Sequence, residues 1–422
     1  MDVLVIGSGG REHTLGWKLL QSENIYNIFF APGNGGTNLI GTNITINILD
    51  FESIKKFIEE KNIELVVVGP EIPLVEGITD YLNANLQKVI HIIGPSAEGA
   101  KLEGSKEFAK KFMKRHNVPT ARYKAFQKTE FDNAVTFMKQ IHKPYVIKAD
   151  GLAAGKGVLI IDNLKEASAQ LKEIFSGKFG EAGEKVVIEE FLDGIELSVF
   201  VLTDGKNYKI LPTSKDYKRI GESDTGLNTG GMGAVSPVPF ADEALMKKIE
   251  EKIIKPTING LAKENINYTG FLYFGLMNKF GEPYVIEYNC RLGDPETQAV
   301  IPRIKNDFAD LLTKLSSGNI VNIELDISEQ TAVYIVLASG GYPENYEKNK
   351  LISGIENQNN NLIFHAGTKI IENKIYSNGG RVLAITSLGN NILDAKTKTF
   401  DIIKNINFEK MYYRKDIGLD LL

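Results

Sequence analysis

Glu287-Tyr-Asn-Cys-Arg291 spaces three groups of different chemistry two residues apart. In an extended strand side chains alternate between faces, so Glu287, Asn289 and Arg291 share one face and Tyr288 and Cys290 the other. A carboxylate, an amide oxygen and a guanidinium on one face suit a magnesium–triphosphate. The oxygens hold the ion, and the arginine stabilises charge on a transferring phosphoryl group. The spacing alone fits a solvated face with an ion pair equally well. Gly293-Asp-Pro-Glu296 follows and sets Asp294 and Glu296 beside the same strand end. Ala149-Asp-Gly-Leu-Ala-Ala-Gly-Lys-Gly-Val158 nearly matches the phosphate loop G-x-x-x-x-G-K-[ST]. Asp150 stands where its first glycine belongs, however, and Gly157 where its metal-binding hydroxyl belongs.

Other segments carry weaker signals. Gly7-x-Gly9 reaches Glu12 where a dinucleotide fingerprint requires glycine. The turn still offers bare N–H groups at a helix start, which favour an anion such as a phosphate monoester. A tight strand–helix turn without a ligand is the plainer alternative. Arg11, Glu12 and His13 tilt the balance toward a polar ligand. Lys148 ends an apolar run and Lys106 lies near a helix start, although single lysines usually mark solvated surface. Glu189-Glu-Phe-Leu192 with Glu196 fits either a strand edge meeting a ring and a ribose or a plain acidic edge. Asn228-Thr-Gly-Gly-Met-Gly233, flanked by Lys215-Asp-Tyr-Lys-Arg219, reads as a flexible anion-binding or gating loop, or as surface. Packing explains Cys290 better than nucleophilic catalysis. The histidines lack metal-ligand spacing, and no G-x-S-x-G elbow is present.

These residues need elements to position them. Apolar runs at 3–6, 27–31, 63–68 and 89–93 each stop at a Gly- or Pro-bearing turn and alternate with helical stretches, beginning at 11–21. That pattern predicts a parallel sheet whose strand ends form one ligand-binding rim. A single helix is expected at 98–115, then helices at 132–140 and 165–175 with strands at 145–148 and 158–161. Strands follow at 185–191, 196–203, 208–211, 268–277 and 283–288, interrupted by a helix at 242–265. A last unit has strands at 331–338 and 381–387, a helix at 392–405 and an exposed loop at 356–361.

A chain of 422 residues predicts about two to four domains. A net charge of −4 offers no basic surface for nucleic acid. No apolar run reaches the roughly 20 residues that span a bilayer. The start, MDVLVIGSGGREH, has no basic leader and enters a strand at once, and Cys290 is the only cysteine. Both point to a cytoplasmic protein.

The segments VIGSGGREH (5–13), APGNGGT (31–37), VGPEIPLVEG (68–77), LEGSK (102–106), VIKADGLAAGKGV (146–158), EEFLDG (189–194), NTGGMGA (228–234), GFLYFGLM (270–277), VIEYNCRLGDPETQ (285–298), HAGT (365–368), NGGRVL (378–383) and RKDIG (414–418) run almost end to end. In that order they closely resemble the phosphoribosylamine–glycine ligases, or glycinamide ribonucleotide synthetases, of the ATP-grasp superfamily. The resemblance implies an α/β architecture. An N-terminal Rossmann-like parallel-sheet domain would cover 1–101. An ATP-grasp domain would cover 102–325, with a mobile lid at about 121–190, and a small C-terminal α+β domain 326–422. It implies ATP-dependent ligation of glycine to 5-phospho-β-D-ribosylamine through a glycyl phosphate, with Mg²⁺ or Mn²⁺. The partners expected are small molecules only, with no nucleic acid or membrane, and the chain is expected to be a monomer.

Carried onto matching positions, Lys106 and Lys148 would bind the ATP phosphates, with the 150–157 loop (Gly155 and Gly157) closing over them. Glu189, Glu190, Phe191 and Leu192 would meet adenine, Glu196 the ribose, and Asn228 the nucleotide from its loop. Glu287 and Asn289 would hold the metal and Arg291 would stabilise the acyl phosphate. Gly9, Gly10, Arg11, Glu12, Asn34, Gly69, Pro70 and Glu71 would bind phosphoribosylamine. Asp216 and Asp294 would lie near the reacting amino groups. Some positions depart from the family's pattern. The strand at 271–277 lacks the second metal carboxylate of many ATP-grasp enzymes, Leu227 replaces an expected proline, and Tyr217 an expected histidine. A sibling purine ligase would lack GREH and RKDIG. A dinucleotide oxidoreductase would leave everything downstream of residue 12 unexplained, and a non-catalytic sensor would be expected to lose Glu287 or Arg291.

Overall fold

The computed structural model describes residues 1–152, 157–356 and 361–422. Near the N-terminus five parallel strands lie in the order Thr42–Asn43, Asn27–Pro32, Asp2–Gly7, Leu65–Val68, His91–Ile93. Val3 to Ile6 and Leu65 to Val68 are buried throughout, as expected for a parallel sheet covered on both faces. Helices Gly10–Leu19 and Phe51–Lys61 belong to this unit. Asp50 caps the second by accepting from the Ser53 N–H, and Asn62, at φ 52°, ends it. The strand ends meet on one rim, where Gly33 N–H donates to the Gly7 carbonyl (3.1 Å) and Gly69 N–H to the Ile6 carbonyl (3.0 Å). Thr42–Asn43 was too short to register as an apolar run. The strand expected from residue 89 starts at His91, because Val89 is 96% exposed and packs on nothing.

Two antiparallel sheets follow. The smaller runs Tyr123–Gln127, Lys185–Glu190, Tyr145–Ala149, Val158–Ile161, backed by helices Phe131–Met138 and Leu164–Glu173 over a core containing Phe126, Ile147, Leu171 and Ile188. The larger runs Tyr208–Ile210, Ile195–Thr203, Gly270–Lys279, Glu282–Asn289. Its buried face shares one core with the N-terminal sheet, joining Leu4 and Val66 to Val199, Leu272 and Val285. The helix expected at 98–115 is two helices, Ala97–Gly104 and Lys106–Arg115. Ser105 leaves helical geometry (φ −134°, ψ 116°), and its hydroxyl accepts from the Phe108 N–H at 3.1 Å. The helix expected at 242–265 has a widened turn, Glu250–Ile254, before Lys255–Lys263. Pro256, with no N–H to donate, sits just beyond that turn.

The last sheet runs Lys215–Asp216, Gly233–Ser236, Thr331–Ala338, Arg381–Gly389, Leu362–His365, with helix Ile392–Ile403 against it. Its first two strands come from the middle of the chain, within the span 102–325. The loop expected at 228–233 follows a hairpin, Arg219–Gly221 with Thr225–Asn228, and leads into Gly233–Ser236. Residues 357–360 of the loop expected at 356–361 lie outside the described residues. Among the described residues no helix is long and apolar enough to cross a membrane.

Candidate active site

Glu282–Asn289 pairs antiparallel with Gly270–Lys279, and the register slips between Gly275 and Leu276, leaving Ile286 as an extra residue. Beyond that bulge, Glu287 and Asn289 are half-buried on one face. Tyr288 is buried on the other, its hydroxyl 2.9 Å from Thr257 Oγ1. Gly275 lies directly across from Glu287, and a Cβ there would come within 3.0 Å of the Glu287 Cγ. The bare glycine leaves that carboxylate room. Cys290 is buried, and its N–H donates to Glu103 Oε2 at 2.8 Å.

The strand stops at Asn289, so Arg291 does not continue its face. Its guanidinium pairs with Glu103 Oε1 (2.7 Å) and approaches Glu71 Oε2 (3.4 Å). Burial raises the Glu103 carboxyl above the usual range, with Arg291 opposing. Burial opposes the charge of Glu71 too, but Arg291 and Arg11 outweigh it and hold that carboxyl low. Arg291 is thus fixed between two elements of the first 103 residues.

On the nucleotide-facing side expected from the sequence, Lys148 Nζ lies 3.0 Å from Glu189 Oε1 and donates to the Ile286 carbonyl at 3.0 Å. The Glu189 carboxylate is therefore buried between cations rather than turned outward to a ring. Glu190 continues that strand, Phe191 is 37% exposed, and Leu192 packs with Ala121 and Met277. Glu196 pairs with Lys218 at 2.7 Å, and Lys218 holds its carboxyl below the usual range. Lys106 donates to the carbonyls of Glu103 (3.3 Å) and Gly151 (3.2 Å). Asp150 Oδ1 accepts from Ser105 Oγ and from the Glu107 N–H, both at 3.0 Å, tying the loop root to the start of helix Lys106–Arg115. The Gly157 carbonyl accepts from the Ala149 N–H at 2.9 Å. Gly155 and Lys156 lie outside the described residues. Asn228 is exposed at the end of its hairpin, and its side chain makes no hydrogen bond to this group among the described residues.

The substrate side is divided. A Cβ on Gly9 would come 3.8 Å from Asp294 Oδ2, and one on Gly10 2.6 Å from Gln298 Nε2. Asp294 pairs with Arg381 at 2.7 Å, and Arg381 also donates to the Gly230 carbonyl. Burial opposes the Asp294 charge, but Arg381 and Arg11 hold the carboxyl low. Residues from all parts of the chain therefore meet at Gly9, Gly10, Asp294 and Arg381. Glu12 and Asn34 are both buried and engaged with neighbouring protein groups. Glu12 is 2% exposed and binds the Gly9 N–H (2.6 Å) and Arg11 Nε (2.7 Å). A Cβ on Gly69 would fall 2.0 Å from its Oε1, so the glycine turns fold around it. The Asn34 amide donates to the carbonyls of Ser8 (2.9 Å) and His365 (2.8 Å) and accepts from the Gly36 and Thr37 N–H groups. Gly69 and Pro70 lead into Glu71, which faces Arg291.

Asp216 lines a small cavity with Glu196, Ser198, Lys218, Tyr273 and Glu287, and its buried Oδ1 has no hydrogen-bond partner. Burial and the Glu296 carboxylate push it well above the usual range. Ser198 donates to Glu296 at 2.9 Å. The sequence reading assigned no role to Glu103, Lys110, Lys218, Glu296 or Arg381. Glu103, Glu296 and Arg381 lie within the motifs LEGSK, GDPE and NGGRVL, but only tertiary contact reveals their partners.

Three family models match the chain consecutively. They are phosphoribosylglycinamide synthetase N domain over residues 1–103, its ATP-grasp (A) domain over 104–297 and its C domain over 332–420. The phosphoribosylamine–glycine ligase of Vibrio vulnificus strain CMCP6 is 46% identical over 424 residues, covering 99% of this chain and 98% of that protein. The crystal structure of phosphoribosylamine–glycine ligase from Thermotoga maritima superposes with a TM-score of 0.86 at 38% identity, covering 99% and 100% of the two chains. The biotin carboxylase domain of Hydrogenobacter thermophilus 2-oxoglutarate carboxylase, solved with MgADP, is 16% identical with a TM-score of 0.72 over 98% and 92%, a likeness of fold.

Proposed function

The chain belongs to the phosphoribosylglycinamide synthetase family, and from that premise we propose how its own residues carry the reaction. The architecture is α/β, an ATP-grasp fold with an N-terminal parallel-sheet domain and a small C-terminal domain. The protein is an ATP-dependent ligase of purine biosynthesis. It joins glycine to 5-phospho-β-D-ribosylamine, giving N¹-(5-phosphoribosyl)glycinamide, ADP and phosphate. A glycine carboxylate oxygen is a poor leaving group. Transfer of the γ-phosphoryl to it gives glycyl phosphate. The ribosylamine nitrogen then attacks the acyl carbon, phosphate leaves, and the amine gives up a proton.

In this reading ATP lies between the two antiparallel sheets. Lys106 and Lys148 meet its phosphates, the backbone of 190–192 meets adenine, and Glu196 meets the ribose. Glu189 acts from behind Lys148 rather than on the ring. Glu287 and Asn289 give two oxygen donors on one open face, and no cluster of three acidic, His or Cys ligands stands among the described residues. Two protein oxygens fit a divalent ion that takes its remaining ligands from phosphate and water. Glu287 and Asn289 would hold Mg²⁺ or Mn²⁺ there, and the ion would neutralise charge on the phosphates.

Arg291, held by Glu71 and Glu103, is placed to stabilise the acyl phosphate. Gly9, Gly10 and Arg11 form the rim for the ribosyl phosphate, and Asp294 faces the amino groups. Asp216, whose buried Oδ1 has no hydrogen-bond partner in the cavity it shares with Glu287, is the carboxylate we assign to take the amine proton. One chain supplies every group invoked, a reading for which a monomer suffices, and the lone buried free cysteine suits the cytoplasm. The convergence of Gly9, Gly10, Asp294 and Arg381 beside Arg291 carries the reading. A coupled assay should show ADP release that requires glycine, phosphoribosylamine and Mg²⁺. Equal release with and without glycine would sink it.

A further inference from the structure

Lys110, Lys148 and Glu189 are sealed together behind the strand Glu282–Asn289, with side-chain exposures of 2%, 4% and 4%. Glu189 divides its carboxylate between them. Oε2 takes Lys110 Nζ at 2.8 Å, and Oε1 lies 3.0 Å from Lys148 Nζ. Lys110 also donates to Thr120 Oγ1 at 2.6 Å, and that hydroxyl donates to the Val285 carbonyl at 2.6 Å. Lys148 donates to the next carbonyl, Ile286, at the bulge. The two ammonium groups thus reach consecutive residues immediately before Glu287, one from helix Lys106–Arg115 and one from strand Tyr145–Ala149.

The two halves of the arrangement differ. Lys110 makes aligned hydrogen bonds to both its partners, whereas Glu189 Oε1 accepts no aligned hydrogen bond. The Lys148 ammonium is therefore held chiefly by charge at Glu189 and donates to the Ile286 carbonyl. Two buried cations share one carboxylate in direct contact, with Glu287 and Glu196 acting on them from farther off. Desolvating such a set is costly unless another anion completes it. Burial pushes Lys110 down to about 8, with Glu189 pulling the other way. Removing one partner of a buried pair strands the other.

We infer that Lys110 is a positioning residue for nucleotide binding, fixing one oxygen of Glu189 so that the other holds the Lys148 ammonium toward the phosphates. This rests on the reading of Lys148 as a phosphate ligand. Without Lys110, Glu189 would turn fully onto Lys148 and neutralise it. ATP would then bind less tightly while the glycine and ribosylamine sites kept their geometry.

The test is ATP binding by calorimetry, together with steady-state rates, on the full chain. Lys110→Met should raise the ATP Kd and KM about tenfold or more. Glycine KM and kcat at saturating ATP should stay within about twofold. Lys110→Arg should recover most of the affinity. Because Lys110 acts through Glu189, adding Lys110→Met to Glu189→Gln should change the ATP Kd little beyond Glu189→Gln alone. Should Lys110→Met not fold, the double variant, which removes both partners, still carries this comparison. Wild-type ATP affinity in Lys110→Met would overturn the inference, as would equal losses from Lys110→Met with and without Glu189→Gln. Lys148→Met separates the two readings. Unchanged ATP affinity in that variant removes the phosphate role of Lys148 itself, whereas a loss there with none in Lys110→Met removes only the present inference.

Discussion

The Glu287 carboxylate makes no ion pair or hydrogen bond among the described residues, sits across from a glycine and is half-buried on its face. It is a carboxylate free for an incoming cation, so Glu287→Gln keeps the shape and removes the charge. That variant should lower glycine-dependent ADP release by at least about a hundredfold. Its thermal midpoint should stay close to wild type, as scanning calorimetry would show, and near-normal turnover would end the metal assignment. The period of two in a strand made this face legible from the sequence. The partners of Arg291 were not legible: Glu103 lies 188 residues away, and no spacing rule connects them. Glu12 shows the same limit. Its place beside a glycine-rich turn could be read, but the fact that Gly7 and Gly69 leave space for it inward required the fold.

The hairpin Arg219–Gly221 with Thr225–Asn228 is held from the far end of the chain. Arg414 is 1% exposed and pairs with Asp224 (2.8 Å) and Asp416 (2.6 Å). Asp416 also accepts from the Ser223 N–H at 2.7 Å, and Tyr412 donates to the Ile220 carbonyl at 2.8 Å. Arg414→Met would leave the partly covered Asp416 without its cation, remove the tie to Asp224 and release the hairpin. Trypsin should then cut at Lys215, Lys218 or Arg219 faster than in wild type, with fragment masses reporting the site, and unchanged cleavage would show the clamp unimportant. The strands and helices with strong apolar periodicity were legible at this scale, among them those expected at 196–203 and 331–338, found at Ile195–Thr203 and Thr331–Ala338. The short strands Lys215–Asp216 and Gly233–Ser236 were not, because pairing in a sheet rather than local pattern makes them strands. Tyr217, in place of an expected histidine, also becomes intelligible here. It is 2% exposed, donates to Asp420 at 2.5 Å, and its ring lies 5.3 Å from the Arg414 guanidinium.

Across the whole molecule, the first and last units meet through two histidines. His365 N–H donates to His13 Nδ1 at 2.8 Å, which requires His13 to be neutral with its proton on Nε2. Burial, with His365 alongside, holds His13 well below its ordinary value, and burial pushes His365 down to about 4. An unfolded chain would take up these protons near pH 6.5, before the folded one does. The histidines' contribution is therefore intact above about 6.5 and is lost as pH falls toward about 4, by about 2 kcal/mol for His365 at pH 5. Thermal midpoints measured down this range should fall less steeply for His365→Gln than for wild type, and parallel curves would refute the assignment. The motifs GREH and HAGT were both visible in the sequence, but nothing in it places them against each other.

The order of strands in the last sheet bears on how the chain can be divided. Gly233–Ser236 is buried at every residue and lies between Lys215–Asp216 and Thr331–Ala338. A fragment ending near residue 325 would keep two of these strands and lose the three that complete the sheet. It would present an unpaired apolar edge of the kind that recruits other chains into aggregates. The C-terminal part is thus a protective cover for a strand that precedes it by about a hundred residues, and evolution or engineering can exchange it only for a piece that supplies the same edge.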